Sequence, residues 1–268
     1  MKSKLRSCFF LLILLIVSSN NLHAQIDTVR LNKYYFKKYW TDTKQIVSSP
    51  ARWHQNDWIK FGAIVSFTAG LTLVDQPVAD FFQSRQDKNL DYASANIFEH
   101  FGAEHSVWVM SGIYTYGWLA QNNRSKSTAL LALESFVLAS LVTRVPKLLA
   151  GRQRPDNWQG YGPYQFEGPF RGVSFPSGHT TASFAVASVI ATQYRDHKWI
   201  PITAYSVAAL AGLSRIYDNR HWVSDVFMGA VIGTTVGNLV SHRVPHSKLT
   251  VIPFRTDGFQ GLKLAYKL

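Results

Sequence analysis

Apolar residues gather along this chain in six recurrent stretches, at 58–74, 106–119, 127–145, 179–194, 200–215 and 221–240. Their lengths suit helices rather than strands, and each matches or falls slightly short of the roughly 20 residues that cross a bilayer. None is uniformly greasy, so the pattern also accommodates a soluble helical bundle. Small residues recur at every fourth position in three of them: Ser183, Ala187 and Ala191; Ala204, Ala208 and Gly212; Gly229, Gly233 and Gly237. Such a stripe smooths one face of a helix and lets a neighbouring backbone come close, a matter of packing alone. Trp58, Trp108, Trp118, Trp199 and Trp222 fall at or near the ends of these stretches. Indole rings favour a membrane interface there, or cover the ends of a soluble bundle.

Both flanks depart from this pattern. At the start, Lys2, Lys4 and Arg6 precede an apolar run over 8–17 and a polar segment that ends at Ala24. This is the three-part form of a secretory signal peptide, with an apolar run too short to span a bilayer well. Leu22-His23-Ala24 is an imperfect cleavage site, and an uncleaved anchor is the alternative. The single cysteine, Cys8, lies in this segment, so cleavage leaves no disulfide and no thiolate chemistry. Residues 25–57 are basic and aromatic, with Lys33, Lys37, Lys38, Lys44 and Arg52, and read as an amphipathic surface helix. At the other end, alternating apolar residues flank Asp257-Gly258 and predict a short hairpin. The expected organisation is a signal peptide over 1–24, a basic segment over 25–57, a helical-bundle domain over 58–243 and a tail over 244–268. The expected fold is all-α: about six core helices embedded in a membrane, with a C-terminal β-hairpin.

Composition supports a membrane setting. Charged residues make up only 16% of the chain, below the roughly 25% typical of soluble proteins. The formal charge of +12 suits an anionic membrane surface, phosphate-bearing substrates or nucleic acid. Nucleic acid is set aside, because the chain has no zinc-finger spacing, RNA-binding signature or dense basic run. Nothing in the sequence points to an obligate protein partner.

Three polar clusters interrupt the ends of the apolar stretches. In "KLLAGRQRP", Lys147 and Arg154 stand seven residues apart. On a continuous helix that is about two turns and roughly 10 Å of rise, with both cations on one face. They are able to grip a phosphate, the arginine as a fork, though a basic helix end beside a membrane has the same look. In "PSGH", Pro176 and Ser177 start a helix, Gly178 lets backbone amides approach a ligand, and the helix N-terminus attracts an anion. His179 would then sit against that anion, able to protonate a departing oxygen. In "SRIYDNRHWVSD", Arg215 closes one stretch and His221 opens the next, with Asp225 four residues on and on the same helix face. A carboxylate there holds one imidazole nitrogen protonated and leaves the other free to attack; a plain Asp–His pair is the alternative. Arg144, Arg152 and Arg171 near these clusters read as solvated or structural. Asp218 and Arg220 read as an exposed loop pair, and His100 and His105 lack metal-site spacing.

Taken in order, Lys147-x6-Arg154-Pro155, Pro176-Ser177-Gly178-His179 and Ser214-Arg215-x5-His221-x3-Asp225 resemble the tripartite signature of the type 2 phosphatidic acid phosphatase and vanadium haloperoxidase superfamily. The resemblance implies a phosphatase in which Lys147, Arg154 and Arg215 hold phosphate oxygens, helped by Ser177 and the Gly178 amide. It implies that His221 attacks phosphorus to give a phosphohistidine, that Asp225 orients it, and that His179 protonates the leaving alkoxide. Neither metal nor cofactor is implied, since three cations supply the charge. The implied substrate is a phosphorylated or diphosphorylated lipid: an isoprenoid diphosphate, phosphatidic acid, phosphatidylglycerol phosphate or a lipid A phosphate. The alternatives are a secreted soluble acid phosphatase, a vanadate-dependent haloperoxidase, or a catalytically silent lipid-binding membrane protein.

Charge and topology disagree. Asp75, Asp80, Asp87, Asp91, Glu99 and Glu104 fall in one apparent loop with only Arg85 and Lys88, while Arg124 with Lys126 and Arg195 with Lys198 are basic. The positive-inside rule puts the acidic loop and the catalytic loops outside. A cleaved signal followed by three crossings would put the catalytic loops in the cytoplasm. The expectation follows the charges: an active site facing the periplasm or exterior.

Overall fold

The computed structural model describes residues 29, 31–156, 162–242, 249–256 and 259–266. The expected signal peptide lies outside the described residues, as do Asp257 and Gly258 of the expected hairpin turn. Eight α-helices stand among the described residues: α1 Lys33–Val47, α2 Gln55–Gln83, α3 Lys88–Ala93, α4 Glu104–Leu119, α5 Asn123–Ala150, α6 Gly178–Gln193, α7 Trp199–Tyr217 and α8 Val223–His242. A π turn (Ser94–Phe98) and a 3-10 turn (Glu99–Gly102) join α3 to α4. Two strands, β1 Leu249–Thr256 and β2 Phe259–Tyr266, pair antiparallel with Leu249 opposite Tyr266.

Helix α6 is the axis of the bundle, and α5, α7 and α8 pack around it. The core runs through Ile113 of α4, Leu131 of α5, Val189 of α6, Ala208 of α7 and Val236 of α8. The glycine stripe of α8 explains how close α6 and α8 come. A Cβ on Gly229, Gly233 or Gly237 would lie 2.6, 2.3 or 2.6 Å from the carbonyl oxygens of Ser177, Thr181 and Ala185. The glycine stripe of α8 thus faces the backbone at Ser177, Thr181 and Ala185, not the stripe of Ser183, Ala187 and Ala191 on the same helix.

Among the described residues, three helices are long and apolar enough to cross a membrane: α2, α5 and α8. Helix α6 has 16 residues, a rise of about 24 Å, short of a hydrocarbon core roughly 30 Å thick. Helix α2 is the outlier. It buries only Thr68, Asp75 and Ala79, while Phe67, Leu73 and Phe81 stay exposed along its length. An apolar face of that size suits lipid contact. Helix α1 lies against α5, where the Tyr35 hydroxyl donates to the Leu130 carbonyl at 2.8 Å and Lys38 Nζ stands 3.3 Å from Glu134 Oε2.

Two sequence expectations need correction. The acidic loop does not begin at Asp75, because α2 continues through Pro77 to Gln83. Val78, Ala79, Phe81 and Phe82 carry the helical pattern on, so the proline is accommodated inside it. Nor does one helix carry both Lys147 and Arg154. Helix α5 ends at Ala150, capped by Gly151 in the left-handed region at φ 56°. A Cβ at Gly151 would stand 1.7 Å from the Gly168 carbonyl oxygen, so only glycine fits this stop. Arg154 therefore reaches inward from a loop.

Candidate active site

One end of the bundle collects the C-terminal ends of α2, α5 and α7 and the N-terminal ends of α6 and α8. Gln83 at the end of α2 donates to the Tyr217 carbonyl at the end of α7 at 3.1 Å. The Ser177 amide, capping α6, donates to the Asp225 carbonyl in the first turn of α8 at 3.0 Å. The Lys147 ammonium near the end of α5 reaches the Val173 carbonyl, just before α6, at 2.5 Å.

The three sequence clusters meet here. Asp225 is the third residue of α8 and reaches back to the Trp222 amide at 3.0 Å, as the acidic member of a capping box does. His221 lies two residues ahead of the helix rather than opening it. Its Nδ1 stands 3.7 Å from Asp225 Oδ2, within ion-pair range but longer than a hydrogen bond. That buried nitrogen has no hydrogen-bond partner. Ser177 caps α6, with its hydroxyl accepting from the Thr180 hydroxyl at 2.9 Å. A side chain at Gly178 would meet nothing within 4 Å, so open space lies over this helix end.

The cations near His221 are unequally paired. Buried Arg154 Nε has no hydrogen-bond partner. Arg215 is only 2% exposed and carries carboxylates on both ends of its fork: Glu99 on Nη1 at 2.7 Å and Asp218 on Nη2 at 2.5 Å. The charges of Arg215, His221 and Arg154 all bear on His179. Burial, reinforced by those charges, pushes the His179 imidazole down to about 4. Burial also lowers His221; Asp225 works to raise it, and Lys147 and Arg154 add to the lowering. Lys147, Arg154, Arg215, Ser177, Gly178, His179, His221 and Asp225 therefore come together at one place. Such a cluster of cations around a helix N-terminus is suited to a tetrahedral anion.

Behind Asp225 lies a polar network whose outer member the sequence reading missed. Asp225 Oδ2 accepts from the Ser174 hydroxyl at 2.5 Å, and its Oδ1 accepts from Arg152 Nη1 at 2.6 Å. Arg152 Nη2 donates to Asp75 Oδ2 at 2.6 Å. Asp75 also accepts from the Ser224 amide and hydroxyl, at 2.9 and 2.6 Å. Asp75, Arg152 and Asp225 are each no more than 1% exposed. Arg152, Ser174 and Ser224 sit inside or beside the quoted motifs, which was a usable signal. Asp75, 77 positions from Arg152, carried none.

The remaining polar residues are placed as follows. Asp218 binds Arg215 rather than Arg220, while Arg220 pairs with Asp156 at 2.6 Å. Arg144 and Arg171 are exposed. His100 pairs with Glu104 at 2.9 Å, and the His105 ring contacts the Ile97 carbonyl at 3.3 Å. Among the described residues no group of three His, Cys, Asp or Glu is placed to hold a metal ion.

Comparison with known proteins bears on this arrangement. A family model described as the PAP2 superfamily matches residues 128–248. A protein from Porphyromonas gingivalis named lipid A 1-phosphatase is 46% identical over 67 residues, which are 25% of this chain but only 15% of that protein. A Mycobacterium tuberculosis protein named decaprenylphosphoryl-5-phosphoribose phosphatase is 30% identical over 149 residues, 55% of this chain and 77% of that protein. Among solved structures, a transmembrane PAP2 type phosphatidylglycerolphosphate phosphatase from Bacillus subtilis aligns with 67% of this chain and 93% of its own, at 24% identity and a TM-score of 0.49.

Proposed function

The chain belongs to the PAP2 superfamily, and we propose that within it this protein is a membrane phosphatase that hydrolyses lipid phosphates through a phosphohistidine on His221. The observation that carries this reading is the convergence of Lys147, Arg154, Arg215, His179 and His221 on one space, with Asp225 behind His221. The three cations and the α6 N-terminus hold the phosphoryl oxygens and stabilise the charge that builds on them in the transition state. Asp225 favours the tautomer with the proton on Nδ1, so Nε2 carries the lone pair that attacks phosphorus. As the N–P bond forms, the P–O bond to the lipid breaks and His179 gives its proton to the departing alkoxide. Water then attacks the phosphohistidine and loses a proton to His179. The N–P bond breaks, inorganic phosphate leaves and both imidazoles are restored.

The low affinity of His179 for a proton in the open site fits this cycle. Its neighbours are cations, and a phosphate dianion arriving among them supplies the negative charge that lets the imidazole hold its proton. Among lipid phosphates, a lipid A 1-phosphate is the first candidate and a polyprenyl-linked phosphate the second, by similarity to relatives so named. The active-site end faces the exterior. Acidic Asp87, Asp91 and Glu99 lie at that end, where Asp87 and Asp91 meet Tyr217, while Arg124 at the other end binds the Gln193 carbonyl and Asp196.

The test is phosphate release by the purified protein from a panel of lipid phosphates in detergent, with and without EDTA. Release that survives EDTA is expected, together with an acid-labile phosphoenzyme that His221→Ala abolishes. A phosphoenzyme that persists in that variant, or strict dependence on added metal, overturns the reading.

A further inference from the structure

Helix α2 is exposed to its surroundings over most of its length, yet it sends one carboxylate, Asp75, completely into the interior. All three partners of that carboxylate lead to the catalytic centre. Ser224 N and Oγ belong to the residue before Asp225, and Arg152 bonds Asp225 directly. Arg152 spends all five of its N–H groups here: on Asp75, Asp225, Ser224 and twice on the Pro163 carbonyl. It has none left to turn towards a substrate.

A charge count shows what Asp75 adds. Arg152 and Asp225 alone would form a neutral buried pair with little field at His221. With Asp75 on the far side of the guanidinium, the trio carries one net negative charge. The two carboxylates share that charge, and one of them, Asp225, faces His221. We propose that Asp75 is a positioning residue for the proposed reaction: through Arg152 it fixes the Asp225 carboxylate and keeps its charge available to the His221 imidazole. The inference rests on the function proposed above. An ordinary tether between α2 and the bundle would not need a charge, and α2 already has one in Gln83, bonded to the Tyr217 carbonyl.

The readout is the acid limb of kcat/KM, where His221 must lose its proton to attack. The groups acting on His221 are Asp225 of α8, Lys147 of α5, Arg154 of the loop after α5, and His179 of α6. Asp75→Asn leaves these in place and removes one negative charge behind them. Loss of that charge disfavours the imidazolium, so the limb moves to lower pH, by about half to one unit. In the same variant kcat falls at least tenfold and KM for a water-soluble phosphate ester stays within about twofold of the parent value. Added to Asp225→Asn, the change costs less than about threefold more, because both act through one carboxylate. Gln83→Ala loosens the tether alone and is expected to leave the limb where it was.

Should Asp75→Asn not fold, Ser224→Ala decides. It removes only the hydroxyl joining Asp75 to Arg152, and kcat is expected to fall about threefold at unchanged KM. An Asp75→Asn limb that does not move, full additivity with Asp225→Asn, or parental kcat in Ser224→Ala overturns the proposal. A parent protein that releases no phosphate from any ester would instead overturn the function on which it rests.

Discussion

Arg152 and Arg154 are separated by a single residue and live in opposite surroundings. Arg152 points behind His221 into a floor where every donor has an acceptor, braced between Asp75 and Asp225. Arg154 acts by its charge on both His221 and His179, and its buried Nε has no hydrogen-bond partner. A saturated guanidinium stabilises a fold, whereas an unsatisfied one costs stability and keeps its binding capacity for something else. The same residue type, two positions on, therefore braces a carboxylate network at one position and keeps a donor unspent at the other. Arg215 lies between these extremes, buried and bonded, but to carboxylates that a phosphate would have to displace.

Exchanging the two arginines is the sharpest way to break this contrast. Arg154→Ala is expected to lower activity about 10²–10³-fold, the effect of removing one donor from a developing oxyanion. Its thermal midpoint should not fall below that of the parent, since its buried Nε gives up no hydrogen bond. Arg152→Lys is expected to do the reverse in stability. Lysine has three donors on a point charge where five in a planar fork are used, so a buried carboxylate loses its partner at about 3–5 kcal/mol. Equal losses of thermal midpoint in the two variants, measured in the same detergent, would dissolve the distinction.

His179 sharpens the half with the unspent donor. His179→Ala is expected to slow release of a lipid alcohol about 10²–10⁴-fold and release of nitrophenol far less, because a good leaving group needs no proton. Equal loss with both substrates would remove the acid role.

The smallest expected effect concerns pH. Sulfate keeps its double charge across the working range, so it probes the cage without titrating itself. In the open site His179 holds a proton only below about 4. A bound dianion raises that value, so binding takes up a proton in the window between the open and bound values. Inhibition by sulfate should therefore strengthen as pH falls from 8 towards 5, by up to about tenfold per unit for each proton taken up, and level off near the open-site value. In His179→Ala the dependence should flatten. A dependence of the opposite sign would place the titrating group elsewhere.

Much of this was legible in the chain. The six apolar stretches correspond to α2 and α4–α8, and the glycines of α8 announce a close approach that α6 supplies. Motif order put all eight candidate site residues forward, and they lie together. Two departures from the sequence pattern share a physical origin. The apolar stretch that stops at Val74 and the acidic residues that follow predict a loop from Asp75 on. Here a guanidinium from 77 residues away compensates the charge and the helix continues. The continuous helix on which Lys147 and Arg154 would share a face is interrupted, because Gly151, pressed against the Gly168 carbonyl, stops the turn, which spacing alone does not reveal.

What the sequence determined by itself is local: helical periodicity, small-residue stripes, caps, and residue types at fixed spacings, all fixed by neighbours a few positions apart. Which charges are spent and which are free was decided only in three dimensions. Arg152, Arg154 and Arg215 are one letter in the sequence, and burial, distance and competition for acceptors from remote segments separate them. A hydrogen-bond donor can be counted as satisfied or vacant only after its partners have been brought within about 3 Å.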